Sequence, residues 1–523
     1  VAVAVRPIQG SDTDGTWHPP DGPRARGRPD LPGGAILGLV AGLVAGGVAL
    51  LWSFFFGPLV LHVDAWLVSP DVWWTARAAG AVAVGDLAHV ETAGGYVGAL
   101  PGFEILLAPV AWLGHRLGLV AGRPFPLARP SLWLADGPVF FALSATAPAG
   151  VGALGAVVGL GRRHRRALVA WTAVVAAFLV VLLGGHPEDA MALGLASLSL
   201  ALLLSGRPGA AGWTLAGAIV FQDWAGLLLP LVVAASPPGR RVDTLLRAAG
   251  APAALGLLLF GFDPAAAWRW LVVQPQLHVE QRTPWWSVAR HVRILASGEF
   301  VTAGGHPAVL AGPDRSLAVL LAIGVALWVA RRPDTGTMLT AATLVLFGRD
   351  AVEATLFPYY VVPASTFLVL LALRARRPSR CIIGLMVATA LPLLVIARLP
   401  PLAYWAGLVI GATATTLALR ADGSQELPSR PPAPRPAPTV PASDSEDGAP
   451  ASSRLTPECT SDQPRGGQPR GGQPRGGQPR GGWPGPGGSG ATVRVAERLS
   501  RLSVLGTGLR WDGEGVARPR PPD

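Results

Sequence analysis

The sequence predicts an all-α polytopic membrane protein with about 10–12 transmembrane helices, some of them broken or re-entrant. Three observations lead there. Apolar runs recur that approach the roughly 20 residues a bilayer span requires. Half of the 523 residues are hydrophobic and only 14% are charged, with a mean hydropathy of +0.41. The charges gather in the connections between the runs, as spanning helices demand.

All 43 basic residues are arginine, and the net charge is +11. Much of that excess lies in short connections and in the C-terminal tail, where membrane orientation and anionic headgroups account for it, so no nucleic-acid partner is inferred. The abundance of Ala, Gly, Pro and Arg suits a GC-rich bacterial genome, and with it a bacterial cytoplasmic membrane. Cys381 and Cys459 make neither a disulfide framework nor a metal-ligand cluster.

Residues 1–33 are rich in Pro, Gly, Asp and Arg and are expected to form a disordered cytoplasmic start. A multi-span domain follows over 34–419. Its first apolar run, 34–61, carries Gly34, Gly38, Gly42 and Gly46 at four-residue spacing, a face on which another helix can approach closely. Residues 62–95 mix Asp64, Asp71, Asp86 and Glu91 with Trp66, Trp73 and Trp74, the composition of an outer loop lying on the bilayer interface.

The arginine cluster Arg162, Arg163, Arg165 and Arg166, between apolar runs 138–160 and 167–185, belongs on the cytoplasmic side. With the N-terminus also inside, the stretch 96–119, which contains Pro101, Glu104, Pro109 and His115, is not a single crossing. It is expected to be re-entrant, interfacial or a hairpin.

Next comes the short polar run His186, Pro187, Glu188 and Asp189, between 167–185 and the apolar run 190–204. Pro187 suits the first position of a helix, which places both acids in the first turn near the positive end of the helix dipole. Successive helical residues point about 100° apart, so one carboxylate is expected to cap the helix while the other faces a water-filled cavity. In 210–235 the sequence Gln222-Asp223-Trp224 interrupts an apolar run with arginines at both ends. Two half-helices with a polar break follow, and an intramembrane carboxylate such as Asp223 is a candidate functional group.

A span at 244–262 leads to a polar outer loop, 263–315, rich in Trp, Gln and Arg and including Arg282. Spans near 316–330, 337–348, 356–373, 381–397 and 402–419 put Arg349 and Tyr359 at the outer end and return the C-terminus to the cytoplasm. Residues 420–523, Pro/Gly/Arg-rich with four QPRGG units, are expected to be a disordered cytoplasmic tail.

The arrangement gathers aspartates, arginines and tryptophans on one side, as a site for a charged, lipid-linked substrate requires. Arginine binds phosphate by paired hydrogen bonds, and a carboxylate can deprotonate an acceptor hydroxyl. No metal site is assigned: the outer carboxylates could hold a divalent cation, yet no ligand spacing supports one.

The order VDAWLVSPDVWW, YVGALPGFEILLAPVAWLG, GGHPEDAMALGL and AGWTLAGAIVFQDWAGLLLPLVV resembles bacterial integral-membrane glycosyltransferases of the GT-C superfamily. It is closest in character to the polyprenyl-phosphate-mannose-dependent mannosyltransferase-like proteins of actinobacteria. The resemblance covers roughly residues 35–375. It implies a GT-C-like fold, a polyprenyl-phosphate sugar donor, mannose as the sugar, and a cell-envelope glycan, glycolipid or protein as acceptor. The family's first-loop catalytic aspartate maps to Asp64 or Asp71. Substrate contacts are expected from His186, Glu188, Asp189, Asp223, Arg282, Arg349 and Tyr359. Many relatives have a basic residue near the hairpin break, where this sequence has Gln222-Asp223. A multi-span transporter or flippase, or an inactive scaffold of the same fold, is the alternative.

Overall fold

The computed structural model describes residues 30–62, 66–69, 71–86, 100–119, 127–128, 133–262, 264, 267, 292–294, 300–302, 311–353, 357–396 and 405–423. Asp64, Arg282, most of the 263–315 loop, residues 1–29 and residues 424–523 lie outside them. The expected disorder of both termini falls on those last two stretches. The described residues belong to a compact unit, Val1–Gln425.

Helix α1, Leu31–Phe56, begins on Asp30, whose carboxylate accepts the Gly33 N–H at 2.9 Å. The first turn therefore includes residues expected to belong to a disordered start. The glycine stripe is its packing face. Gly34, Gly38, Gly42 and Gly46 are all buried, together with Ala49 and Ser53. A Cβ on Gly38 would lie 2.0 Å from the Pro148 carbonyl oxygen, and one on Gly46 would lie 2.7 Å from that of Phe141. The stripe seats α1 against α4, Trp133–Ser144, and α5, Thr146–Val157. Ile36, Val40, Val44 and Leu51 point outward on the opposite flank. An apolar flank of that length is stable in lipid, and in water it would be a large exposed patch.

The stretch expected as an interfacial loop contains a helix, α2, Asp71–Ala83, which packs on α3, Gly102–Arg116. Helix α3 buries Phe103, Glu104, Leu107 and Ala111 and exposes Ile105, Leu106, Trp112 and Leu113. With 15 residues it is one helix, shorter than a full span, and its exposed flank is apolar. A two-residue ribbon joins β1, Trp66–Leu67, to β2, Leu127–Ala128. A second pairs β3, Val292–Ile294, with β4, Phe300–Thr302. The all-α expectation therefore holds for the body of the protein and fails in these connections, where runs too short for a helix satisfy their backbone groups across strands.

Helix α6, Arg162–Val174, continues as a wider i→i+5 coil over Val175–Gly184. Helix α7, Pro187–Leu204, returns beside α5, and α8, Pro208–Phe221, runs back along α7. The expected broken hairpin is present. Gln222 is extended (φ −151°, ψ 127°), Asp223–Leu228 form a tight turn of helix, and α9, Leu229–Ala235, completes the return.

Helix α10, Arg241–Phe262, carries Leu245, Leu246, Leu257 and Leu258 on an exposed flank. The remaining helices are α11, Ala311–Arg331, α12, Thr335–Val352, α13, Val362–Arg374, α14, Pro378–Ile396, and α15, Thr413–Gly423. The 263–315 loop thus ends earlier than expected, at the start of α11.

Five helical segments among the described residues are long and apolar enough to cross a membrane, and six shorter apolar helices accompany them. The protein is an α-helical membrane protein. Its connections divide by chemistry. Arg162, Arg207, Arg240, Arg331 and Arg374 lie at one set of helix ends. Beyond the opposite ends of the segments that carry Arg162, Arg207 and Arg374 lie His186, Gln222 and Tyr360.

Candidate functional site

The site is built on the break between α6 and α7. Gly185 turns the chain with φ +76°, a left-handed conformation that costs other residues about 1–2 kcal/mol. A Cβ there would also lie 2.6 Å from Ser69 Oγ. Ser69 donates to the Gly184 carbonyl at 2.9 Å and is approached by the Asp71 N–H at 3.4 Å. The segment that begins α2 is thereby fastened to the end of α6, and Asp71 meets His186.

His186 lies between two carboxylates. Its Nε2 is 3.2 Å from Asp71 Oδ2 and its Nδ1 is 2.6 Å from Glu188 Oε1. Burial pulls the imidazole pKa down, but Glu188 and Asp71 more than reverse this and hold it well above its ordinary value. Each ring nitrogen thus meets one carboxylate. Side-chain exposure grades along the chain of contacts, from 11% for Glu188 through 21% for His186 to 41% for Asp71. Asp71 is the most exposed of the three.

Asp189 turns the other way and accepts the indole N–H of buried Trp224 at 2.7 Å. This bond ties the start of α7 to the broken hairpin. The expectation that one acid caps the helix is overturned, because no side-chain cap bond forms at the start of α7. Glu188 is held by His186 and Asp189 by Trp224, in place of the backbone N–H groups of the first turn.

Aromatic rings close the layer. Tyr359 packs on His186 with ring centroids 4.4 Å apart, and Phe357 stacks on Tyr359 at 5.4 Å. Burial pushes the Tyr359 phenol well above its ordinary range. The side of Gly184 is filled by that ring: a Cβ there would sit 2.9 Å from Tyr359 Cδ1. Arg349 reaches the same layer from α12. Its Nε lies 3.1 Å from Glu353 Oε2, its Nη1 lies 3.4 Å from Asp350 Oδ1, and its guanidinium covers the Tyr360 ring at 4.6 Å. Asp189 and Asp223 are within its electrostatic reach.

Of the residues expected at a site, Asp71, His186, Glu188, Asp189, Asp223, Arg349 and Tyr359 therefore converge, and Asp64 and Arg282 lie outside the described residues. Arg349 arrives already paired with acids, a different setting from the open phosphate ligand expected of it. Three members were not singled out. Glu104 on α3 is buried beside the cluster, and burial, reinforced by Glu188, pushes its carboxyl up to about 8. Trp224 and Ser69 complete the set. For Glu104 a signal existed, an acid one turn into an otherwise apolar helix. For Trp224 none did, since tryptophans are common throughout the sequence. Comparisons with protein-family models, curated proteins and solved structures found no match to this chain.

Proposed function

We propose that the protein is a membrane glycosyltransferase. It moves a sugar, mannose by resemblance, from a polyprenyl-phosphate donor to a hydroxyl of a cell-envelope acceptor at the outer face of the cytoplasmic membrane. The observation that carries this reading is the graded contact Asp71–His186–Glu188 beneath the Tyr359 ring.

In this reading Asp71 is the general base. The acceptor hydroxyl gives its proton to the Asp71 carboxylate as its oxygen attacks the anomeric carbon. The bond from that carbon to the phosphate oxygen breaks, and polyprenyl phosphate departs with the electron pair. His186 orients Asp71, and Glu188 fixes the ring from the other side, the logic by which a third group positions a catalytic pair. Tyr359 backs the His186 ring, and the exposed apolar flank of α3 would receive the prenyl chain of a lipid-linked donor.

The test is transfer of labelled sugar from polyprenyl phosphate by membranes containing the protein. Asp71→Asn is expected to lower turnover about 100- to 10,000-fold, the usual contribution of a general base, with little change in donor KM. Full transfer by Asp71→Asn, or substrate uptake coupled to protons or sodium in place of transfer, would refute the proposal.

A further inference from the structure

The cluster between α6 and α7 gathers more carboxylate oxygens than it has donors to answer them. Asp71, Glu104, Glu188 and Asp189 surround one imidazole, while Arg349 is engaged by Glu353 and Asp350. Glu188 Oε2, Asp189 Oδ2 and Glu104 Oε2 are buried and have no hydrogen-bond partner among the described residues. Native proteins seldom leave such oxygens unanswered, and an ion is one of the few groups that satisfies several at once.

We infer that His186, Glu188 and Asp189 bind one divalent transition cation of the Mn2+ or Zn2+ class, with Asp71 as the carboxylate that orients the imidazole from behind. One ligand atom of each residue lies within 4.8 Å of those of the other two. Ligands about 2.1 Å from a common ion are separated by up to about 4.2 Å, so small side-chain adjustments close the set.

Two further features select these atoms. A metal-binding histidine nearly always has its second ring nitrogen held by a carboxylate, a carbonyl or water. Asp71 supplies that contact at Nε2, which leaves Nδ1 as the ligand, and Nδ1 faces Glu188 at 2.6 Å. A proton shared there is what the ion displaces. On Asp189, Trp224 occupies Oδ1, and Oδ2 is the oxygen left over. An imidazole in the set favours a transition ion over Mg2+ or Ca2+, which prefer oxygen alone. Remaining coordination positions would take water or a phosphate oxygen.

This site stands whether or not the sugar-transfer reading does. The experiment is Mn2+ binding to the purified full-length protein in nanodiscs after chelator treatment, with Zn2+ as competitor. Saturable binding of one ion per chain is expected, with a 14N coupling from a single imidazole in pulsed electron paramagnetic resonance. His186→Ala and Asp189→Asn should each weaken binding at least 100-fold. Asp71→Asn should weaken it about tenfold, the lower end for an outer-shell partner. Asp243→Asn, on the distant start of α10, should leave it unchanged. Absence of saturable binding, absence of the 14N coupling, or unaltered affinity in Asp189→Asn would overturn the inference. The coupling is read on the wild-type protein and needs no variant to fold. Sugar transfer that survives complete removal of an ion shown to bind here would leave this site intact and confine it to a structural role.

Discussion

At Gly185 two independent constraints meet, and they can be separated by substitution. Its backbone is left-handed, and its missing side chain makes room for Ser69. Gly85 has nearly the same backbone, φ +78°, but nothing within 4 Å of a would-be Cβ. Gly85→Ala is therefore expected to cost only the backbone term, about 1–2 kcal/mol. Gly185→Ala should cost more, because Ser69 must move and its bond to Gly184 is lost; thermal unfolding in detergent measures the difference, and equal losses would refute it. A second residue-scale prediction concerns Trp224. Trp224→Phe keeps the ring and removes the donor to Asp189, so a loss of about 1.5–3 kcal/mol is expected, the range for hydrogen bonds to charged groups. An unchanged melting temperature would show that the bond is not maintained.

Legibility at this scale followed the contrast between a residue and its surroundings. His186, Glu188 and Asp189 stand out because they interrupt two apolar runs, and their convergence with Asp71 and Tyr359 followed from counting which loops share a side. Their pairing was not legible. Capping is a local rule, whereas the partner that holds Asp189 is Trp224, 35 residues away. Local rules do not encode such contacts, and the tertiary partner won.

At the scale of elements, the glycine stripe of α1 was readable from spacing alone, and the structure attaches a distance to each member. Gly38→Ala would place a methyl 2.0 Å from the Pro148 carbonyl oxygen, backbone that cannot swing aside. Gly47, on the same helix, has nothing within 4 Å. Gly38→Ala is expected to lower stability by about 1–3 kcal/mol or more, as overpacking does, while Gly47→Ala is neutral or stabilising through better helix propensity. Thermal unfolding of the two variants, with size-exclusion profiles to report loss of the fold, checks the pair. The broken hairpin at Gln222 was legible because a polar triplet in an apolar run has few other solutions. Helix α2 was not, since Asp71, Arg77 and the neighbouring tryptophans mask an amphipathic pattern whose buried side, Val72, Ala76 and Ala79, consists largely of small residues. The β3–β4 ribbon was hidden for the related reason that three-residue strands leave almost no periodicity to read.

Across the described residues Arg162, Arg207 and Arg374 sit at helix ends opposite the carboxylate cluster, whereas Arg349 lies within the cluster's own layer. Helix α6 with its continuation shows the opposition within one segment, Arg162 at one end and Gly184 at the other. A positively charged end retained in the cytoplasm would place the cluster outside, where a polyprenyl-phosphate sugar would be used. The consequence can be tested without knowing the substrate. In a background with Cys381→Ser and Cys459→Ser, His62→Cys should react with a membrane-impermeant maleimide in intact cells, because His62 is exposed at the cluster end of α1. Arg163→Cys, exposed at the start of α6, should react only after the membrane is permeabilised. The reverse pattern would invert the topology and move the cluster to the cytoplasmic side. A lipid-linked donor used outside would then be excluded, while the contacts among Asp71, His186 and Glu188 would stand and call for a substrate presented from within.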